Sequence, residues 1–149
     1  MSQRQQFEAL KFKIGLSGTF WDKQPNFSIL LDDSLYATGT ASSNIEYICF
    51  NANLAEQLSH KLKIRLTNKS DSDTVTDTDG NIIKDMLLNI DSIEIDDIEL
   101  GQLKWSLSEF LPDDATTRPV LKNCVNLGWN GTYTLEFDSP YYLWLLEKA

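Results

Sequence analysis

The sequence predicts an all-β protein, an antiparallel β-sandwich of jelly-roll type, and three observations point to it. Apolar and polar residues alternate in most segments, as they do in strands with one buried face. Turn-forming residues separate these segments at short intervals, and strands do not alternate with long helices as a parallel sheet would require. A chain of 149 residues that is 42% hydrophobic suits one domain, 1–149, with its own core.

The strands follow in chain order from this alternation. The strand over residues 60–66 is the clearest, because leucine and isoleucine alternate there with lysine and arginine. His60 begins it at an inward position, and we expect a hydrogen-bonded histidine at the margin of a sheet. The predicted strands cover residues 10–16, 27–31, 60–66, 93–98, 103–107 and 133–137.

Turn-forming residues mark the connections. The pair Asn130-Gly131, between the apolar segments 125–129 and 132–137, is the strongest signal for a two-residue hairpin. Only residues 53–60 have a pattern that would suit a helical turn. Further turns are expected at Asp32-Asp33-Ser34, Thr38-Gly39, Asp79-Gly80-Asn81, Leu100-Gly101, Pro112-Asp113-Asp114 and Ser139-Pro140.

The formal net charge of −9 narrows the classes of partner. A chain this acidic is repelled by phosphate backbones and by anionic membrane surfaces, so neither nucleic acid nor a membrane is an expected partner. The N-terminal residues lack the apolar core of a signal peptide, so we expect synthesis in a cytosol. The two cysteines, Cys49 and Cys124, are expected to be buried free thiols.

The catalytic groups of the sequence indicate that the protein is not an enzyme. One histidine and no nucleophile motif exclude a Ser-His-Asp or Cys-His arrangement. Zinc would need more than this histidine and two distant cysteines, and no phosphate-binding loop occurs. Paired carboxylates could hydrolyse glycosides, but acidic residues are too abundant here for a pair to be informative.

An acidic segment over residues 68–97 is the strongest candidate for a site. It holds nine of the chain's 22 carboxylates, while Lys69 and Lys84 are its only cations. Carboxylates at this density must be well solvated or must hold a counter-ion, and oxygen ligands in a loop suit Ca²⁺. The loop is not an EF-hand, because Val75 and Met86 fall where the first aspartate and the bidentate glutamate belong. A solvated acidic loop without metal is the alternative.

Residues 25–98, about half of the chain, contain the segments PNFSILLDDSLYATGT, HKLKIRLTN and KDMLLNIDSIEI. These three segments resemble the calcium-dependent, xylan-binding type of carbohydrate-binding module. The resemblance implies a jelly-roll sandwich whose loop carboxylates hold a Ca²⁺ that coordinates sugar hydroxyls directly. Carried over by position, the implied metal ligands are Asn68, Asp71, Asp73 and Asp85.

This sequence departs from the family pattern at three points. Lys69 stands where the family has the aspartate of an Asn-Asp pair, and Met86 stands where it has an arginine. The loop also contains no aromatic residue that could stack on a sugar.

The C-terminal segment is dense in aromatic residues, and two interpretations stay open. The aromatic side chains could pack in the protein's own core and across hairpins. Alternatively, residues 138–149 form an interface arm that a partner subunit buries. The interface residues would then be Tyr141, Tyr142, Trp144 and Leu145.

Two functions are therefore expected. The first is a non-catalytic phage virion structural or accessory protein, a head-decoration, neck or tail component built on a sandwich like that of a carbohydrate-binding module. The segments DTDGNIIKDMLLNIDSIEID and SPYYLWLLE also resemble phage structural proteins. Its partners would be other virion proteins or further copies of itself, with a surface polysaccharide as ligand. The alternative is a free-standing, calcium-dependent, xylan-type carbohydrate-binding module.

Overall fold

Two antiparallel sheets make up about half of residues 5–148, the part of the chain that this computed structural model describes. Residues 1–4 and 149 of the predicted 1–149 domain lie outside the described residues. The first sheet consists of β1 (Phe7–Thr19), β4 (Glu46–Ala55), β8 (Leu87–Ile95), β9 (Ile98–Glu99) and β12 (Asn126–Leu127). Its strand order is β12-β8-β1-β4, and β9 pairs with β8.

The second sheet has six strands in the order β11-β10-β13-β5-β2-β3. They are β2 (Asn26–Leu31), β3 (Ser34–Thr40), β5 (Ser59–Leu66), β10 (Ser108–Pro112), β11 (Leu121–Lys122) and β13 (Gly131–Asp138). A separate two-stranded ribbon consists of β6 (Val75–Thr76) and β7 (Ile82–Lys84). The helices are α1 (Leu103–Ser106) and α2 (Tyr141–Lys148). No helix within residues 5–148 has the length and apolarity needed to cross a membrane.

The core lies between the two sheets. Phe12 of β1 and Phe137 of β13 meet there, with ring centroids 6.2 Å apart. The predicted alternation sends Leu62, Ile64 and Leu66 of β5 fully into this core, and each such side chain stabilises the fold by about 1.5–3 kcal/mol. The predicted all-β antiparallel sandwich is confirmed.

Two-residue turns built from adjacent aspartates close two hairpins. Asp32 and Asp33 connect β2 to β3 with φ angles of 51° and 66°, and Asp96 and Asp97 connect β8 to β9 with φ angles of 51° and 65°. Positive φ at both positions matches the twist of the flanking strands, and aspartate tolerates this conformation. The turn at Asp32-Asp33 is therefore confirmed. Ile93 and Ile95 lie in β8 as predicted, whereas Ile98 lies in β9, because the chain reverses at Asp96 and Asp97.

His60 is buried at the start of β5, as predicted. One ring nitrogen contacts the Asp32 carboxylate, and Nε2 lies 2.8 Å from the carbonyl oxygen of Ala55. The other oxygen of Asp32 accepts a hydrogen bond from the backbone N–H of Lys61 at 2.9 Å. The first hairpin turn is thereby tied to β5.

Two short segments do not have the predicted structure. Residues 103–106 form α1 rather than a strand, because Leu103 and Leu107 can both face the core at a spacing of four as well as in alternation. Residues 53–60 do not form a helical turn, because β4 continues to Ala55 and β5 begins at Ser59. Gln57, with φ of 68°, reverses the chain between them.

Two glycines interpreted as turn residues lie inside strands. The hairpin predicted at Asn130-Gly131 is wrong, because β12 pairs with β8 in the first sheet while β13 belongs to the second. A Cβ on Gly131 would come within 2.5 Å of the Leu111 carbonyl oxygen, so close strand approach explains this glycine. Gly39 likewise lies within β3, where a Cβ would come within 2.7 Å of the Phe27 ring.

Both cysteines are free thiols, as predicted, but only one is even partly buried. Cys49 is exposed, and Cys124 is intermediate in exposure. Cys49 takes an outward position on β4, while its neighbours Ile48 and Phe50 pack toward the core. The apolar residues next to Cys49 in the sequence therefore predicted burial for a side chain that points outward.

Candidate functional site

The first part of the acidic segment, the acidic loop of residues 68–86, lies in the long connection between β5 and β8. It begins at Asn68, whose Oδ1 accepts a hydrogen bond from the Asn26 N–H at 2.8 Å. The Asn68 Nδ2 donates to the Gln24 carbonyl at 2.9 Å. Asn68 therefore anchors the loop to the segment that enters β2. A 3₁₀ turn at Asp71–Asp73 and the ribbon of β6 and β7 follow.

Asp73 is buried at the end of the 3₁₀ turn. Its Oδ2 accepts hydrogen bonds from the backbone N–H of Ser70 at 2.7 Å and from the Ser70 hydroxyl at 3.0 Å. The same oxygen lies 3.0 Å from Nζ of Lys23. Burial alone would raise the pKa of Asp73, but the bonds from Ser70 and Lys23 outweigh it and the pKa lies below its usual value.

Asp85 stands at the end of the loop and accepts three hydrogen bonds on one oxygen. Its Oδ1 lies 2.6 Å from Nζ of Lys69, 2.7 Å from the Thr74 hydroxyl and 2.8 Å from the N–H of Met86. Burial would raise the pKa of Asp85, but the bonds from Lys69, Thr74 and Met86 together lower it. The carboxylate is thus ionised and closely paired with Lys69.

These positions decide how well the residues fit a calcium ion. Asn68, Asp73 and Asp85 each direct one side-chain oxygen at protein donors, whereas Asp71 is exposed on the 3₁₀ turn. Ca²⁺ needs six to eight oxygens around one point. Within residues 5–148, no three histidine, cysteine or acidic side chains lie together so that they could hold a metal ion. The residues in this arrangement do not fit the ion, and calcium binding stays a prediction from the sequence.

A cleft of about 410 Å³ opens beside the start of the loop. Three chain segments build it: the loop itself, the connection after β10, and the residues before β13. Its lining combines carboxylates, two cations, an amide and one large aromatic ring. The lining residues are Lys69, Ser70, Asp71, Asp113, Asp114, Arg118, Trp129 and Asn130.

Two cations lie over the Trp129 ring at this cleft. The Arg118 guanidinium is 3.1 Å from the ring centroid, and Nζ of Lys69 is 4.9 Å from it. Cations over an indole face are attracted by the ring quadrupole, most strongly where water is excluded. Trp129 therefore orients Arg118 toward the cleft.

Asn130 fixes the cleft to the acidic loop. Its Oδ1 accepts from the Lys69 N–H at 2.7 Å, and its Nδ2 donates to the Lys69 carbonyl at 2.9 Å. The amide thus satisfies both backbone groups of Lys69, as a paired strand would. The loop and the residues before β13 are held together as one unit.

Several of these residues could not be assigned to the site from the sequence. Lys23, Arg118 and Trp129 come from segments far from the acidic loop. Trp21 also reaches the loop, where its Nε1 donates to the Asp73 carbonyl at 2.9 Å. The sequence signal was limited to the unassigned aromatic residues of the C-terminal third.

A larger cleft of about 500 Å³ lies on the outer face of the second sheet. Lysine and arginine side chains of β5 face Glu109 and Glu136 across it. Asp33, aliphatic residues and threonines complete the lining, and no aromatic ring contributes to it. This face offers charge pairs but no ring on which a ligand could stack.

The predicted interface residues of the C-terminal segment are divided by α2. Tyr141 and Trp144 are buried in the chain's own core, and Leu145 is partly buried against it. Tyr142 is 48% exposed. The Glu8 carboxylate holds the start of α2, accepting the Tyr141 N–H at 2.9 Å. The larger apolar exposure belongs to Leu143 and Leu146, and the interface itself stays a prediction.

The fold is a β-sandwich like that of solved carbohydrate-binding modules, while the absence of catalysis stays a prediction from the sequence. One similar solved structure is vCBM60 in complex with galactobiose, with a TM-score of 0.55 at 13% identity, covering 84% of this chain and 96% of that chain. Another is the selenomethionine form of vCBM60, with a TM-score of 0.57 at 12% identity, covering 85% of this chain and 89% of that chain.

The second structure is described as part of a link, by circular permutation, between two families of calcium-dependent carbohydrate-binding modules. At these identities the likeness establishes the fold alone. No protein-family model and no curated protein sequence matches the chain.

Proposed function

We propose that the protein is a non-catalytic glycan-binding module and that the cleft at Trp129 is its binding site. The observation that carries this is the lining of the cleft, where hydrogen-bonding groups converge on one aromatic platform. Ligand sites combine apolar surface with a few placed polar groups in this way. The sandwich fold, shared with carbohydrate-binding modules, supports the proposal.

The charges of the cleft favour a neutral sugar. Asp71, Asp113 and Asp114 face the opening, and Arg118 is the cation held over Trp129. Carboxylates accept hydrogen bonds from sugar hydroxyls, while the guanidinium donates to hydroxyl or ring oxygens. Three carboxylates and a chain charge of −9 would repel uronic acids and other anionic glycans. Neutral xylan or galactan is therefore the expected class of ligand.

Affinity electrophoresis through gels that contain soluble xylan or galactan tests this proposal. The wild-type protein should be retarded by at least one of them, and Trp129→Ala should lose at least about tenfold in affinity, since the platform for Arg118 is gone. Trp105→Ala is the matched control, because Trp105 is 45% exposed on α1 and lines no part of the cleft. Equal retardation of both variants, or no retardation of the wild type, would refute the proposed site.

Calcium enters this proposal only through the resemblance of the sequence and the description of a structural neighbour. If Asn68, Asp71, Asp73 and Asp85 bound Ca²⁺, glycan retention would be lost in EDTA and restored by added calcium. The same electrophoresis, run in both buffers, therefore tests the cofactor separately from the site.

We further propose that this module serves in a phage virion as a head-decoration, neck or tail accessory protein. Its synthesis would take place in the host cytoplasm, with other virion proteins or further copies as partners. Support comes from the sequence resemblance and from Leu143 and Leu146, which are 60% and 74% exposed on α2. Mass spectrometry of particles purified from the host that carries this gene should detect the chain. If complete particles do not contain the chain, this role is excluded.

A further inference from the structure

A buried ammonium lies where the acidic loop would need a counter-ion. The side chain of Lys69 is 1% exposed, although lysine is among the residues least often buried. Removing an ammonium from water is unfavourable unless an opposite charge and hydrogen-bond acceptors replace the solvent. Asp85 supplies both, at 2.6 Å.

Neighbouring residues hold Lys69 both at its backbone and at its ammonium group. Asn130 binds its backbone N–H and carbonyl, and the Trp129 ring lies 4.9 Å from its Nζ. Thr74 and the Met86 N–H hold the partner carboxylate of Asp85 from other directions. The side chain is therefore a built part of the loop, in contrast to a mobile surface lysine.

A second lysine, Lys23, pairs with the second carboxylate, Asp73. Nζ of Lys23, which comes from the segment before β2, lies 3.0 Å from Oδ2 of the buried Asp73. Each of the two least exposed acids of the loop segment thus has an ammonium of this chain as its partner. The charge that a metal ion would neutralise is already neutralised.

We propose that Lys69 is the resident cation of this loop, so that the loop keeps its shape without calcium. A Ca²⁺ ion at Asp85 would have to displace an ammonium from its bonding distance and would then be repelled by it. Lys23 plays the same part at Asp73. This inference concerns stability and metal dependence, and it holds whether or not the cleft at Trp129 binds a glycan.

Thermal unfolding with millimolar calcium and with EDTA tests it on the wild-type protein. The midpoint should be the same in both buffers, and titration calorimetry should detect no calcium binding. A midpoint raised by calcium and lowered by EDTA would overturn the inference without any variant being made.

Substitutions of Lys69 sharpen the test. Lys69→Met leaves Asp85 without its cation and should lower the midpoint by roughly 6–12 °C. Lys69→Asp places a second carboxylate beside Asp85, so its midpoint should fall further and recover when calcium is added. Lys84→Met is the matched control, because Lys84 lies over the Trp21 ring at the exposed ribbon and should change the midpoint little.

The outcomes of these variants separate the alternatives. An unchanged or raised midpoint for Lys69→Met would show that the buried pair does not stabilise the loop. A Lys69→Asp protein that calcium does not rescue would show that the loop oxygens cannot gather around a metal even without the ammonium. The first outcome overturns the proposal. The second supports a loop built for the lysine alone.

Discussion

Replacing Trp144 by alanine measures whether α2 belongs to the core or acts as a detachable arm. Trp144 is only 4% exposed, and its ring centroid lies 6.0 Å from that of Phe137 and 5.9 Å from that of Tyr141. A buried tryptophan removes about 150–250 Å² from water, and about 25 cal/mol per Å² gives roughly 4–6 kcal/mol. Because a terminal helix can partly collapse into the space, we expect a loss of about 3–5 kcal/mol.

Urea unfolding followed by tryptophan fluorescence and circular dichroism provides the assay. With a slope of about 2 kcal/mol per M, the midpoint of Trp144→Ala should fall by roughly 1.5–2.5 M. Leu146→Ala is the matched control on the same helix, because Leu146 is 74% exposed. Its free energy of unfolding should stay within about 0.5 kcal/mol of that of the wild type.

Equal midpoints for Trp144→Ala and the wild type would refute the assignment of α2 to the core. They would then favour the predicted interface arm over residues 138–149, which a partner rather than the domain would bury. A loss confined to Trp144→Ala would instead place any interface on the outer side of the helix, at Leu143 and Leu146.

Three further predictions concern the loop, the second sheet and α1. The lowered pKa values of Asp73 and Asp85 contribute stability that is complete above about pH 4 and is lost as the pH falls through them. The urea midpoint of Asp85→Asn should therefore fall less than that of the wild type on acidification from neutral pH. Gly131→Ala should cost about 1–3 kcal/mol through its clash with the Leu111 carbonyl, whereas Gly128→Ala, with its nearest neighbour at 3.4 Å, should be tolerated, as thermal unfolding would show. Tyr133→Phe should cost about 1–3 kcal/mol in urea unfolding, because a carbonyl of α1 loses its donor.

The strands were predictable because one face of each meets the core. In β5 and β13 the alternation continues over eight residues each, and the burial follows it without interruption. The segment 103–107 has only three apolar residues, which suit a helical turn as well as a strand, and tertiary packing chose the turn. The C-terminal apolar run forms α2, which buries Tyr141 and Trp144 against Phe137 of β13.

The hairpin at Asn130-Gly131 failed for a different physical reason. The pair has the residues of a tight turn, but the glycine answers a need for close contact at Leu111 and the asparagine binds Lys69. Local chemistry suits both uses equally, and only the pairing of distant strands decides between them. The pairing of distant strands cannot be predicted from the local sequence.

The acidic loop was recognised from the sequence, whereas the groups that neutralise it were not. Lys69 was visible as a departure from the family pattern, yet its burial depends on Asn130, Trp129 and the end of the loop at Asp85. Lys23 reaches Asp73 from 50 residues away in the sequence, and Arg118 lies over the Trp129 ring beside the loop. Charge density along the chain therefore overstates the unpaired charge in the folded protein.

The amide of Asn130 also has a consequence for the chemical ageing of the protein. An asparagine followed by glycine is prone to deamidation, in which the next backbone nitrogen attacks the side-chain carbonyl carbon. Here both atoms of the amide are engaged with Lys69, so the side chain cannot rotate freely into the attacking geometry. Folding should thus preserve this residue during storage. Where the chain unfolds and the reaction proceeds, the aspartate formed would lack the donor to the Lys69 carbonyl, and the refolded loop would lose one of its two ties.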